Sequence, residues 1–329
     1  MQTRNCFSRN PHATRAKHDG DKCKQKRRGI IQRDTHSPAV VSDDENSNAA
    51  WYDPFMAHAI DWDHAPLAAV LDSDGLRCSL EEAALVLARQ EYPDLDPRPW
   101  LERLDAFAAL ARPLLSPRPD TPEIIGVVND VLFRDAGFRG NEMDYYDPHN
   151  SFLNEVLERR VGIPISLATI YLAVARRVGL TLHGTAFPGH FLLVSPRSGW
   201  PIVLDAFDRG RILSQDDCMA RIAAMGGRWD ASFLDPVSGR AILRRMLNNL
   251  RAIYFERRDW PRLLRTVTQI LRLEPTAHDE CFTRGIAFAG VGEPQRAIAE
   301  LERYLEHCPG AANNQAARDL IAELRRDSG

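Results

Sequence analysis

The sequence predicts an α+β domain, with helices packed on a small antiparallel sheet, followed by an all-α module. Three observations predict this: capped amphipathic stretches from Ser79 onward, short β-like runs between Leu182 and Leu204, and a C-terminal third that repeats itself at 34 residues. Composition sets the frame. The 329 residues carry 42 basic and 45 acidic side chains, a formal charge of −3, with 44% hydrophobic and 26% charged content, which excludes collagen-like, membrane-spanning and wholly disordered chains. The length suffices for two domains, each with its own core. Cys6, Cys23, Cys78, Cys218, Cys281 and Cys308 stand singly, with no Cys-x-x-Cys pair, which argues against a disulfide framework or structural zinc. A reducing, cytoplasmic setting is expected, with no cofactor and no bound metal.

Residues 1–55 read as a disordered basic tail, since ten Lys/Arg within residues 1–35 face Asp19, Asp21 and Asp34 with few apolar residues between them. The Lys24–Arg28 cluster could attract nucleic acid or acidic lipid unspecifically, but neither nucleic acid nor a membrane is the favoured partner. Ser79 and Glu82 form a capping box ahead of Leu80, Ala83, Ala84, Leu87 and Ala88. Asp96 is expected to cap a second helix with Pro97 in its first turn, a stripe at Leu101, Leu104, Phe107, Ala108 and Ala111, and a stop at Pro113. Thr121-Pro122 starts a third helix that ends near Gly137.

A cap at Asn150 or Ser151 should open a helix through Glu158, followed by a break at Gly162-Ile163-Pro164. A long apolar helix then runs to Gly179, with Arg176 and Arg177 at the carbonyl end of its dipole. Leu182–Phe187, Phe191–Val194 and Pro201–Leu204 read as strands of an antiparallel sheet against that helix. In the last third, Trp260 and Pro294, Leu264 and Ile298, Val267 and Leu301, Leu271 and Leu305, and Pro275 and Pro309 are each 34 residues apart, as are Tyr254 and Phe288. That interval is the tetratricopeptide period, and stacked helical pairs of this kind leave a concave face for a peptide or partner.

His190 and Asp205 are the strongest candidate site. If residues 196–199 close a hairpin with an even loop, Val194 opposes Pro201 and His190 lies directly opposite Asp205, close enough for the carboxylate to fix one imidazole nitrogen and leave the other as a base.

The run Ser151-Phe152-Leu153-Asn154-Glu155-Val156-Leu157-Glu158-Arg159-Arg160, then Gly162-Ile163-Pro164-Ile165-Ser166-Leu167, then Phe187-Pro188-Gly189-His190-Phe191-Leu192, followed by the 34-residue repeats, resembles the transglutaminase-like proteins of the SirB type. The resemblance spans residues 57–325 and implies a papain/transglutaminase-like core. It also implies that a nucleophilic Cys should open the buried helix, with His190 and Asp205 as the remaining pair. At Pro164 to Ser166 no cysteine stands, and Ala206 follows Asp205 where active relatives commonly have Pro. A helix N-terminus depresses a thiol's pKa but cannot bring a serine hydroxyl near ionisation, so Ser166 would need His190 as its base. A cap or packing role is the simpler reading of Ser166.

Cys218 follows Asp216-Asp217, whose charge would raise its pKa, and reads as packing. Residues 144–149 carry carboxylates and an imidazole without a metal-ligand spacing and read as a polar loop. The sequence therefore points to a transglutaminase-like domain over 56–236 joined to a tetratricopeptide module over 237–329. Its expected role is a non-catalytic, cytoplasmic peptide-binding or regulatory protein, with partners in the cleft and on the concave face. The alternative is an amidase, protease or acyl-transferase using Ser166, His190 and Asp205.

Overall fold

The computed structural model describes residues 78–195 and 199–327. The expected basic tail over 1–55 lies outside the described residues. Helix α1 (Leu80–Ala88) opens with the expected capping box, Ser79 and Glu82 each bonding the other's backbone. Helix α2 (Arg98–Ala111) starts one residue later than the sequence suggests: Pro97 is itself the N-cap, and Asp96 accepts from the Arg98 backbone N–H at 3.1 Å without capping a longer helix. Helix α3 (Thr121–Asn129), capped by Asp120, widens into a π-helical stretch over Asp130–Asp135 and ends before Gly137.

A parallel two-residue pair, β1 (Arg139–Gly140) with β2 (Val161–Gly162), brackets α4 (Leu153–Arg159). The N-cap of α4 is Phe152, so neither Asn150 nor Ser151 caps it. Asn150 is instead buried, its carboxamide donating to the carbonyls of Asp144 and Tyr145 and accepting from Asn141. A loop whose carbonyls lie inside must find donors there, and that demand outweighs the gain from a cap.

Helix α5 (Pro164–Arg177) is the buried helix the apolar run demands, with Gly179 past its end. Arg176 and Arg177 at its last turn both hold Glu81 at 2.6 Å, tying α5 to α1. Burial works against the Glu81 carboxylate, but the two guanidinium groups outweigh it and keep its pKa below the ordinary value. Strands β3 (His183–Thr185), β4 (Leu192–Ser195), β5 (Ile202–Asp205) and β6 (Arg211–Leu213) form an antiparallel meander in that order. The sequence suggested three strands. The fourth, Arg-Ile-Leu, is too short for alternation to register and is seen only once β5 offers it an edge. One sheet face joins the core around Tyr171, Phe191 and Leu204. The other packs Phe187, Leu192, Val194 and Val203 against Cys218 and Ile222 of α6 (Gln215–Ala224).

The remainder is helical: α7 (Gly239–Glu256), α8 (Trp260–Leu273), α9 (Glu280–Gly290), α10 (Pro294–His307) and α11 (Asn314–Asp327). Helices α8 and α10 start and end 34 residues apart, and α9 and α11 start 34 apart, as the self-alignment requires. The turn after α7 and its equivalent after α9 both need left-handed backbone, supplied by Gly292 at φ 81° in the second unit but by Arg258 at φ 53° in the first. Arg258 is exposed, so its side chain gains little there in return for the conformational cost. Arg258→Gly should therefore raise unfolding free energy by about 0.5–1 kcal/mol. Gly292→Ala, where an added Cβ meets nothing within 4 Å, should lower it by a similar amount. Urea denaturation of both variants checks the pair.

Candidate functional site

His190 and Asp205 meet, but not by the register the sequence suggests. Strands β4 and β5 pair Leu193 with Leu204, Val194 with Val203 and Ser195 with Ile202, two residues away from the expected alignment. The reason is Pro201, which has no N–H to give the ladder and so falls into the loop, while Ser195 joins the strand. A slip of two keeps every side chain on its own face, so the pair still forms, reached diagonally from the turn before β4.

That turn is Phe187-Pro188-Gly189-His190, closed by the His190 N–H donating to the Phe187 carbonyl at 3.1 Å. Pro188 fixes its own φ, and Gly189 takes φ 66°, the conformation a type II turn needs at that place. A Cβ at Gly189 would also stand 2.8 Å from the Met225 sulfur.

The Asp205 side chain is only 2% exposed and every one of its contacts is a donor. Oδ1 accepts from His190 Nε2 at 2.8 Å and from the backbone N–H groups of Phe207 at 3.0 Å and Asp208 at 3.3 Å, while Oδ2 accepts from Arg221 of α6 at 2.7 Å. Burial alone would push the carboxyl's pKa up. The hydrogen bond and charge of His190 and the Arg221 guanidinium prevail, and it lies below the ordinary carboxylate value. Since the ionised carboxylate only accepts, the Nε2 proton points at Asp205, and in the neutral ring the lone pair is left on Nδ1. The His190 side chain is 19% exposed, its ring edge-on to Phe207 at 6.0 Å, and Phe207 meets Tyr145 at 6.2 Å. Tyr145, Tyr146 and Met225 are exposed beside them.

Ser166 sits elsewhere in this geometry. Its residue exposure is 0%, and its hydroxyl donates to the Asn150 carbonyl at 2.7 Å and accepts from the Ile163 N–H at 3.1 Å. No hydrogen bond joins it to His190 among the described residues. Its bonds cap the first turn of α5 and anchor Asn150, whose carboxamide in turn holds the loop bearing Tyr145. Cys218 is fully buried, and burial pushes its thiol up to about 11, which leaves almost no thiolate at neutral pH. Asp147 caps the short turn at Pro148–Asn150 and binds His149 and Arg159, so this carboxylate and imidazole are spent on local structure. Among the described residues no group of three or more His, Cys, Asp or Glu stands together as a metal site.

Two contributors escaped the sequence reading. Arg221 lies 16 residues beyond Asp205, and no spacing rule connects them. Arg245 of α7 donates to the carbonyls of Phe187, at 3.3 Å, and His190, and lies over the Phe191 ring at 5.5 Å. It therefore grips both ends of the His190 turn.

Residues 98–248 match the transglutaminase-like superfamily and residues 250–326 match the tetratricopeptide repeat. A UPF0162 protein of Xylella fastidiosa (strain Temecula1) is 37% identical over 254 residues, covering 75% of this chain and 90% of that protein. The chain belongs to the UPF0162 family. A UPF0162 protein of Vibrio cholerae is 30% identical over 202 residues, covering 60% of this chain and 74% of that one. Human F-box only protein 21 is 35% identical over 136 residues, 39% of this chain and 21% of its own length. The resemblance to SirB-type proteins and the two-part architecture are thus established, and α7 straddles the two family matches.

Two outcomes follow from the bonds of this UPF0162 protein. Ser166→Ala strands the buried Ile163 N–H and removes a donor from Asn150, so it should destabilise the fold by about 1–3 kcal/mol, measured by denaturant unfolding. For Asp205 the fold favours the ionised form. Its contribution is full above the ordinary value of 3.8 and disappears as pH falls through the lowered folded-state value. The stability gap between wild type and Asp205→Asn, about 3 kcal/mol at neutral pH, should close on acidification below about pH 4, in unfolding curves taken at a series of pH values.

Proposed function

We propose that this protein is a binding or regulatory module without covalent chemistry, in which the cleft beside His190 takes an extended peptide and the concave face of residues 242–325 holds a second segment of a protein partner. The observation that carries this reading is the commitment of the Ser166 hydroxyl to the backbone of Ile163 and Asn150. A nucleophile must present its oxygen to a base, and this oxygen is enclosed and its proton already donated. The exposed rings of Tyr145 and Tyr146 beside the cleft suit contact with a partner's side chains. Tetratricopeptide arrays serve as interaction surfaces, which supports the second half of the proposal. The working boundaries are 56–236 for the first module and 237–329 for the second, and the setting is cytoplasmic. No helix among the described residues is long and apolar enough to cross a membrane.

The competing reading is an amidase, protease or acyl-transferase with Ser166 attacking, His190 as base and Asp205 as orienter. What favours it is the Asp205-fixed ring with Nδ1 unbonded among the described residues. Intact-mass measurement after serine-directed and acyl-donor probes separates the two. We expect no stoichiometric adduct on Ser166 in folded wild type. An adduct lost in both Ser166→Ala and His190→Ala would establish the enzyme instead.

A further inference from the structure

The carboxylate at His190 has a counter-charge, since Asp205 is matched by Arg221; Asp147, on the loop that carries Tyr145, is matched by Arg159. Arg245 is different: among the described residues it forms no ion pair, only the bonds to the Phe187 and His190 carbonyls and the stacking on Phe191. It is half-buried, and burial lowers its pKa, with Tyr145 the one neighbouring group that works the other way. Carbonyl bonds and a ring offset part of the cost of withdrawing a guanidinium from water, and a carboxylate or similar anion would offset more of it. Glu142 and Asp144, on the loop that carries Tyr145, are exposed and make no ion pair with it. At the C-cap of the same helix, Arg257 donates to the Tyr146 carbonyl at 3.1 Å and also forms no ion pair among the described residues. Helix α7 and its C-cap thus carry two arginines that form no ion pair among the described residues, each spent on carbonyls and each with donors left over.

We infer that the cleft beside His190 is a carboxylate-recognising peptide site, in which Arg245 of α7 binds an acidic group of the ligand while Tyr145, Phe207 and His190 contact the adjoining residue. The inference rests on the peptide-cleft reading above and names the ligand's chemistry. Bidentate approach to a carboxylate suits the fork of an arginine, and the apolar rings supply contact that an acidic residue next to an aromatic one would use. All four residues fall within the transglutaminase-like match, Arg245 on the part of α7 that precedes the repeat match. The carboxylate is either an acidic side chain or a chain terminus.

The test uses the full chain and three probes: acetyl-Gly-Phe-Glu-Gly-amide, the same peptide with Gln for Glu, and acetyl-Gly-Phe-Gly with a free terminal carboxylate. Binding is followed by NMR through the His190 ring resonances, assigned with His190→Ala, in wild type, Arg245→Gln and Arg245→Lys. The Glu peptide should bind wild type at least about tenfold more tightly than the Gln peptide, as one charge-assisted hydrogen bond allows. The preference should vanish in Arg245→Gln, survive in part in Arg245→Lys, and weaken with salt. Tighter binding of the free-terminus probe than of the Glu peptide would assign the pocket to a chain end, and the reverse to a side chain. Equal binding of Glu and Gln peptides at His190, or a preference that persists in Arg245→Gln, overturns the acidic inference and leaves the peptide cleft standing. No shift at His190 with any probe overturns both. Thermal unfolding of Arg245→Gln is measured alongside, and Arg245→Lys keeps the comparison available if the Gln variant does not fold.

Discussion

A buried carboxylate organises the site and much of what surrounds it. Asp205 ends a central strand with its side chain almost wholly withdrawn from water, where an ionised group is tolerated only if donors replace its hydration. The four donors come from three places: His190 in the turn before β4, Phe207 and Asp208 in the turn after β5, and Arg221 of α6. Satisfying this one charge therefore fixes the His190 turn, folds the chain back after β5 and docks α6 against the sheet. The Asp205 carbonyl adds to this by accepting from Gly210 at 2.8 Å, which closes the loop leading to β6.

A second set of bonds does for the loop of Tyr145 what Asp205 does for the His190 turn. Ser166 at the start of α5 anchors Asn150, and Asn150 holds the carbonyls of Asp144 and Tyr145. The ring of Tyr145 is thereby brought to Phe207, and Phe207 to His190. The buried start of α5 thus reaches the loop through one hydroxyl, since Ser166 bonds the backbone of both Ile163 and Asn150.

The join between the two modules is not a linker. Helix α7 spans the end of one family match and the start of the other. Its apolar face, including Ile242, Met246 and Tyr254, lies in the same core as the buried helix α5. Arg245 on that helix holds the His190 turn by its carbonyls. Across the molecule Arg262 and Arg265 of α8 bind Glu91, just past α1, adding a second tie. The first helices of the repeat array are therefore packed on the first domain's core.

Local chemistry was enough to fix much of this from the residues alone. The Ser79–Glu82 capping box, the buried helix ending at Gly179 and the 34-residue period each depend on interactions within a few residues or on strict repetition, so they are written in spacing. The His190–Asp205 pairing was also legible, because strand alternation preserves faces even when the register slips by two. The register itself was decided by Pro201, whose missing N–H matters only once a partner strand is present to ask for it. Asn150 took the loop carbonyls in place of a helix cap, and Arg221 and Arg245 reached the site across 16 and 55 residues of chain. Such long-range polar bonds leave no period in a sequence. They form because folding buries particular acceptors and only the tertiary arrangement determines which donors lie within reach.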